Sequence, residues 1–209
     1  MNRSIREIVL DTETTGLNPQ NGDRIIEIGC VELINHIPSG NNIQLYFNPE
    51  TKDVSEEAEK IHGIKNNFLK KQKFFRDKVD EIIKFISNDT LIIHNANFDV
   101  GFINQELKLC NKEKLKNSIV DTVKLARKKL GGGAVNLDAL CRRFNIDISG
   151  RKLHGALLDS HLLAEVYIEL LGGRQTGLEF VDNKKQPHIE DETKNPHYLS
   201  AGFLNYQSI

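Results

Sequence analysis

Asp11-Thr12-Glu13 stands at the end of a short apolar run, Ile8-Val9-Leu10. Side chains two residues apart on a strand share a face, so Asp11 and Glu13 project together just before the Thr14-Thr15-Gly16 turn. Two carboxylates held side by side repel each other unless a cation lies between them. An isolated D-x-E is more often a pair of solvated acids; the apolar strand before this pair and the tight turn after it argue for acids held in place. Asp99 falls one turn into a helix that follows the apolar stretch Leu91 to Ile93. That puts a further acid at a strand's carboxyl end, where sites of mixed and parallel sheets gather. Alone it reads as an ordinary first-turn helix acid stabilised by the dipole. Asp159 sits in a helix among Leu157, Leu158, Leu162 and Leu163. Burying an unpaired acid there costs several kcal/mol, and a bound metal would remove that cost. His154 precedes this helix on a loop flexed by Gly155. A lone histidine is more often structural, but its main other use is as a base, because its unperturbed pKa of about 6.5 lets it accept a proton near neutrality.

The elements that must position these groups can be read from periodicity. Ile8 to Leu10 predicts one strand and Arg24 to Leu33 a second. The turn residues Pro38-Ser39-Gly40-Asn41-Asn42 predict a link to a third strand, Ile43 to Phe47. Short links favour an antiparallel meander. Ser55, followed by Glu56 and Glu57, reads as a helix start. Val79, Ile82, Ile83 and Ile86 recur at helical spacing up to Ser87. A strand at Leu91 to Ile93, a helix from Asn97 to Leu109, a strand at Ile119-Val120 and a helix to Leu130 follow. Further helices span Leu137 to Phe144 and Gly155 to Leu171. Strands in a meander, then strands alternating with helices, predict an α/β fold with a mixed sheet covered by helices. Gly131-Gly132-Gly133 is a loop, because no Gly-Lys-Ser/Thr follows it to make a phosphate loop.

Composition limits the partners. Hydrophobic residues make up 39% and charged residues 27% of the 209-residue chain, a globular balance. No apolar stretch approaches the roughly 18 residues of a membrane helix, and the start lacks a signal-peptide core, so no export is expected. The 3 cysteines are scattered without zinc spacing, which suits a reducing cytoplasm. Net charge is -1, without the basic excess of a protein that grips nucleic acid unaided. A nucleic-acid enzyme of this composition needs metal ions or a partner to hold its substrate.

Together the motifs are specific. Asp11 and Glu13 as D-x-E, Asn95, Phe98 and Asp99 as N-x-x-F-D, and His154 and Asp159 as H-x4-D resemble the exonuclease superfamily defined by four acids and a histidine. The resemblance is closer to the proofreading epsilon subunits of bacterial DNA polymerase III. It is carried by Asp11 to Gly16, by Ile61-His62-Gly63-Ile64 and by Leu153 to Tyr167. It implies a ribonuclease H-like sheet, a bacterial cytoplasmic location and metal-dependent 3′→5′ removal of mispaired DNA nucleotides. It further implies two Mg²⁺ or Mn²⁺ ions, held directly by Asp11, Glu13 and Asp159, with Asp99 reaching them through water. The oxygen ligands suit either ion. His154 would be the general base. Thr14, Thr15, Leu17, Ile61, His62 and Phe98 would line the pocket of the terminal nucleotide, with Glu57 and Glu13 near its sugar.

Residues 1–173 read as the exonuclease domain, ended by Gly172-Gly173, and 174–209 as a flexible tail. Within it, 175–180 resembles the Q-x-x-L-x-F peptide that binds the sliding clamp, through Gln175, Leu178 and Phe180. The apolar stretch at about 197–209 would dock on the polymerase catalytic subunit and order on binding. Linked contacts of this kind would hold the enzyme near a frayed 3′ end by effective concentration. Two rivals stay open at this point: a sister enzyme that trims RNA or short oligoribonucleotides, and a non-catalytic subunit that braces the polymerase.

Overall fold

The computed structural model describes residues 4–173. Its sheet has strand order β4-β3-β2-β1-β5-β6. The central strand β1 (Arg6–Thr14) pairs antiparallel with β2 (Ile25–Ile34), which pairs antiparallel with β3 (Ile37–Asn48). On its other side β1 runs parallel to β5 (Thr90–Ile93), and β5 runs parallel to β6 (Ile119–Asp121). The two-residue β4 (Lys73–Phe74) adds a parallel edge to β3. The expected mixed sheet is therefore present.

One connection differs from the sequence reading. The β2–β3 turn is Asn35-His36, both at positive φ (52° and 64°), and Pro38 to Asn42 lies inside β3. A two-residue hairpin with both φ values positive matches strand twist, and Asn tolerates that conformation. Pro38 is tolerated because β4 pairs with β3 only at Phe47 and Asn48, leaving this end of the strand at the sheet edge.

β1 is apolar on both faces because each face carries its own layer. Ile8 and Leu10 pack with Phe102, Ile103 and Leu107 of α4 (Asn97–Leu109) and with Val79, Ile82 and Ile86 of α3 (Val79–Ile86). Val9 turns the other way, onto Leu163, Ala164 and Tyr167 of α7 (Ala156–Leu171). Asp11 and Glu13 continue the odd-numbered face toward α7, and Thr12 continues the even-numbered face toward α4. The remaining helices are α1 (Glu56–His62), α2 (Asn66–Leu69), α5 (Thr122–Leu130) and α6 (Leu137–Arg143). Ser55 caps α1 by accepting from Ala58 N, as its sequence predicts.

Two local features aim the ends of these elements. Gly29 of β2 lies opposite Asp11, and a Cβ there would stand 2.2 Å from the Ala156 carbonyl carbon and the Leu157 nitrogen. Only glycine lets α7 begin directly on the sheet, and Ser160 Oγ fastens it by donating to Gly29 O at 3.0 Å. At the turn from β5 into α4, Asn95 takes φ 61°, a conformation that asparagine tolerates better than most residues.

Candidate active site

Asp11, Glu13, Asp99 and Asp159 meet at the carboxyl end of β1. A register shift between Glu13 and Thr14 ends regular pairing with β2 beside them, a common place for a bulge to re-aim a side chain. Glu13, His154 and Asp159 bring ligand atoms within 4.8 Å of one another. Asp11 shares their cleft, since the charges of Asp99, Glu13 and Asp159 all act on it. Asp159 is 4% exposed, as its leucine neighbours predict, and Asp99 is 3% exposed. His154 is exposed at the rim, with Nδ1 3.2 Å from Asp159 Oδ2.

The electrostatics are those of carboxylates crowded in a poorly solvated place. Burial, followed by the charges of Asp99 and Glu13, drives the Asp11 carboxyl well above its usual range. Burial and the charge of Asp159 push Glu13 to about 8. Burial pushes Asp99 to about 7, partly offset by Thr12, whose hydroxyl donates to Asp99 Oδ1 at 2.7 Å. Asp159 behaves oppositely: burial would raise it, but His154 and Arg151 at its oxygens hold it below the ordinary carboxylate value. Such a cluster, rich in anionic oxygen and short of counter-charge, fits a hard divalent cation. Among the described residues, Glu13, His154 and Asp159 offer ligand atoms close enough together to hold one.

Of the expected pocket residues, Thr14 ends β1, Ile61 and His62 end α1, and Phe98 lies in the first turn of α4. Thr15 follows Thr14, and Ser55 N donates to Thr15 O at 3.0 Å, tying the start of α1 to them. Both threonine side chains turn inward: Thr14 Oγ1 donates to Gly16 O at 2.6 Å, and Thr15 Oγ1 accepts from Arg24 N at 3.0 Å. Leu17 is 83% exposed, the most open large apolar side chain among the described residues. Ile61 is also exposed, and its carbonyl accepts from His154 N at 3.1 Å, which joins the end of α1 to the histidine loop. His62 is buried; its Nδ1 accepts from Ile64 N at 3.0 Å, so the ring proton is on Nε2, which has no partner among the described residues. Phe98 is half-buried against Phe102, with centroids 4.9 Å apart. Glu57 is exposed on the first turn of α1.

Sequence reasoning missed Arg151, Thr12, Glu27 and Gly29. Arg151 Nε and Nη2 donate to the two Asp159 oxygens at 2.6 Å each, so the buried acid is paired. Glu27, buried and opposite Glu13 on β2, adds its charge to the cluster and accepts from Gln44 Nε2 at 2.7 Å. Its place directly across from Glu13 was the available signal for it. No spacing rule pointed to Arg151, which comes from an irregular loop.

Comparison with known proteins agrees with this geometry. A family model described as Exonuclease, of the RNase T type, matches residues 8–167. The DNA polymerase III subunit epsilon of Rickettsia felis is 50% identical over 183 residues, covering 86% of this chain and 80% of its own length. That of Salmonella typhimurium is 46% identical over 183 residues, covering 84% and 74%. The nuclease domain of 3′hExo, a DEDDh family member bound to rAMP, shares the fold with a TM-score of 0.71 at 19% identity, over 81% of this chain and 93% of that one. With its four acids and histidine gathered at one strand end, the chain belongs to the Exonuclease family and is a 3′→5′ exonuclease. Within that family it belongs with the epsilon subunits of DNA polymerase III.

Proposed function

We propose that the chain proofreads DNA by hydrolysing the last phosphodiester of a frayed 3′ end, with Asp11, Glu13 and Asp159 holding two Mg²⁺ or Mn²⁺ ions and His154 acting as base. The convergence of Glu13, His154 and Asp159 ligand atoms within 4.8 Å, beside Asp11, carries this reading. When bound, the ions would screen the acids from the phosphate and stabilise charge on the oxygens that attack and leave. The chain's own residues do the rest. Thr12 holds Asp99 by its hydroxyl, which fixes this acid to orient water at the edge of the site. His154 sits at the rim, tied by its backbone to Ile61, and takes the proton of the attacking water. The product is a nucleoside 5′-monophosphate.

The terminal nucleotide would lie between Thr14, Thr15, Leu17, Ile61, His62 and Phe98, with its sugar near Glu13 and Glu57. The exposed Leu17 and Ile61 offer apolar surface for a base, and His62 Nε2–H, without a partner among the described residues, offers a donor. Burial holds His62 below its usual value, so it is neutral there. A pocket of this kind takes an unpaired terminus, and a mismatched end costs less to unstack. Proofreading selectivity follows from that difference.

Gln175, Leu178 and Phe180 would bind the sliding clamp, and residues of about 197–209 the polymerase catalytic subunit; both segments lie outside the described residues. Matched 5′-labelled DNA and RNA strands test the substrate. Metal-dependent stepwise shortening of DNA in preference to RNA is expected. Strong preference for RNA would move the assignment to RNA trimming, and inertness on both would favour the bracing subunit.

A further inference from the structure

We propose that Arg151 is a counter-ion built into the site, holding Asp159 in the cation's absence and having to leave it when a divalent ion binds. The inference rests on the reading that Asp11, Glu13 and Asp159 are metal ligands. The guanidinium meets Asp159 edge to edge, Nε on Oδ1 and Nη2 on Oδ2, each at 2.6 Å. That paired fork is the strongest form of such a contact. Nη2 lies also 2.9 Å from His154 Nδ1, while Asp159 Oδ2 and His154 Nδ1 are 3.2 Å apart. One guanidinium nitrogen thus touches two members of the cluster whose ligand atoms converge within 4.8 Å. A guanidinium and a divalent cation on the same buried carboxylate repel strongly in a poorly solvated cleft, so the two compete for it.

Arg151 also has somewhere to go. Its third nitrogen, Nη1, is already paired with Asp138 in the first turn of α6. Asp138 is far more exposed than Asp159, 42% against 5% by side chain. Leaving Asp159 therefore keeps one ion pair and exchanges the buried one for the metal. The arginine comes from the loop between α6 and α7, where Arg151 N donates to Ile148 O at 2.9 Å, so the side chain can swing without moving α7. Such a device keeps the acid cluster from repelling itself when metal-free, and it sets the ion concentration at which the site fills.

Calorimetric Mn²⁺ titration of the wild type, Arg151→Gln and Arg151→Lys tests this, together with melting temperature in chelator. Arg151→Gln should bind Mn²⁺ about tenfold more tightly and melt lower in chelator. Arg151→Lys keeps the charge but cannot clamp both oxygens, and its affinity should fall between the other two. Should Arg151→Lys match the wild type while Arg151→Gln binds tighter, through-space charge alone explains the effect and the clamp is wrong. Unchanged or weaker binding by Arg151→Gln also overturns the proposal. A second readout needs no variant. The Nε–H resonance of Arg151 should be protected from solvent exchange in chelator and lose that protection on saturation with Mg²⁺; protection that persists overturns the displacement. A wild type that binds no Mn²⁺ would remove the metal reading itself, a different failure from normal binding unaffected by Arg151.

Discussion

At the residue scale, neighbouring side chains take separate tasks. His154 touches the cleft without being the main charge on it, so His154→Ala should still bind Mn²⁺ in a titration yet lose roughly 10²–10⁴-fold in turnover. Turnover at pH 7 equal to the wild type would remove it as the base. Glu13 makes a prediction about pH. The folded metal-free protein keeps a proton on Glu13 up to about 8, because of burial and then of Asp159, whereas the ordinary value is 4.5. Between those values folding takes up a proton, so stability falls as pH rises through the window. Asp159, held below its ordinary 3.8, adds stability that is already complete above that range and does not alter the slope. Melting in chelator should therefore occur at lower temperature at pH 8 than at pH 5.5, and Glu13→Gln should reduce the difference while abolishing activity, the remainder coming from Asp11 and Asp99, which burial also raises. The acids and the histidine were legible because signals that are weak singly fall together in one order, D-x-E, N-x-x-F-D and H-x4-D. Arg151 and Thr12 were not, since an arginine in an irregular loop and a threonine on a strand are ordinary until their partners are seen.

At the element scale, the site exists because α7 starts on the face of the sheet. Gly29 permits that approach and Ser160 holds it. Gly29→Ala would force a Cβ into the backbone of Ala156 and Leu157, which should cost at least ~1–3 kcal/mol in urea unfolding. It should also lower activity, by displacing Asp159 from Glu13. Ser160→Ala loses a single buried hydrogen bond and should cost about 1 kcal/mol. Equal stability of Gly29→Ala and the wild type would contradict the close approach. The long elements were readable because β1 is apolar before its acids and the helices keep their period. Asn97–Leu109 is found as a helix at the bounds its apolar spacing predicts. The Asn35-His36 turn was hidden behind the stronger turn signal of Pro38 to Asn42, and the four-residue α2 and two-residue β4 are too short to show a period.

At the scale of the whole molecule, a net charge of -1 over 209 residues leaves little electrostatic grip on DNA. The tail would supply by tethering what the surface does not supply by charge. A chain ended after Gly173 should shorten free single strands at close to the full-length rate, yet fail to co-elute with the polymerase catalytic subunit. Retained co-elution would refute the tail's role. Leu178→Ala with Phe180→Ala should weaken clamp binding in the full-length chain and leave polymerase binding intact. Composition alone marked this tail, through its polar run and its apolar end; what each part touches depends on surfaces that belong to other chains.

A 5′-labelled primer with a mispaired 3′ end, annealed to its template, is the substrate that decides whether the chain proofreads by metal-dependent hydrolysis. Wild type and Asp11→Ala would be compared with Mg²⁺ and with chelator. The wild type with Mg²⁺ should remove nucleotides stepwise from the 3′ end, faster than from a matched primer, with no loss in chelator or by Asp11→Ala. Shortening that persists in chelator, or in Asp11→Ala with Mg²⁺, would contradict metal-dependent hydrolysis.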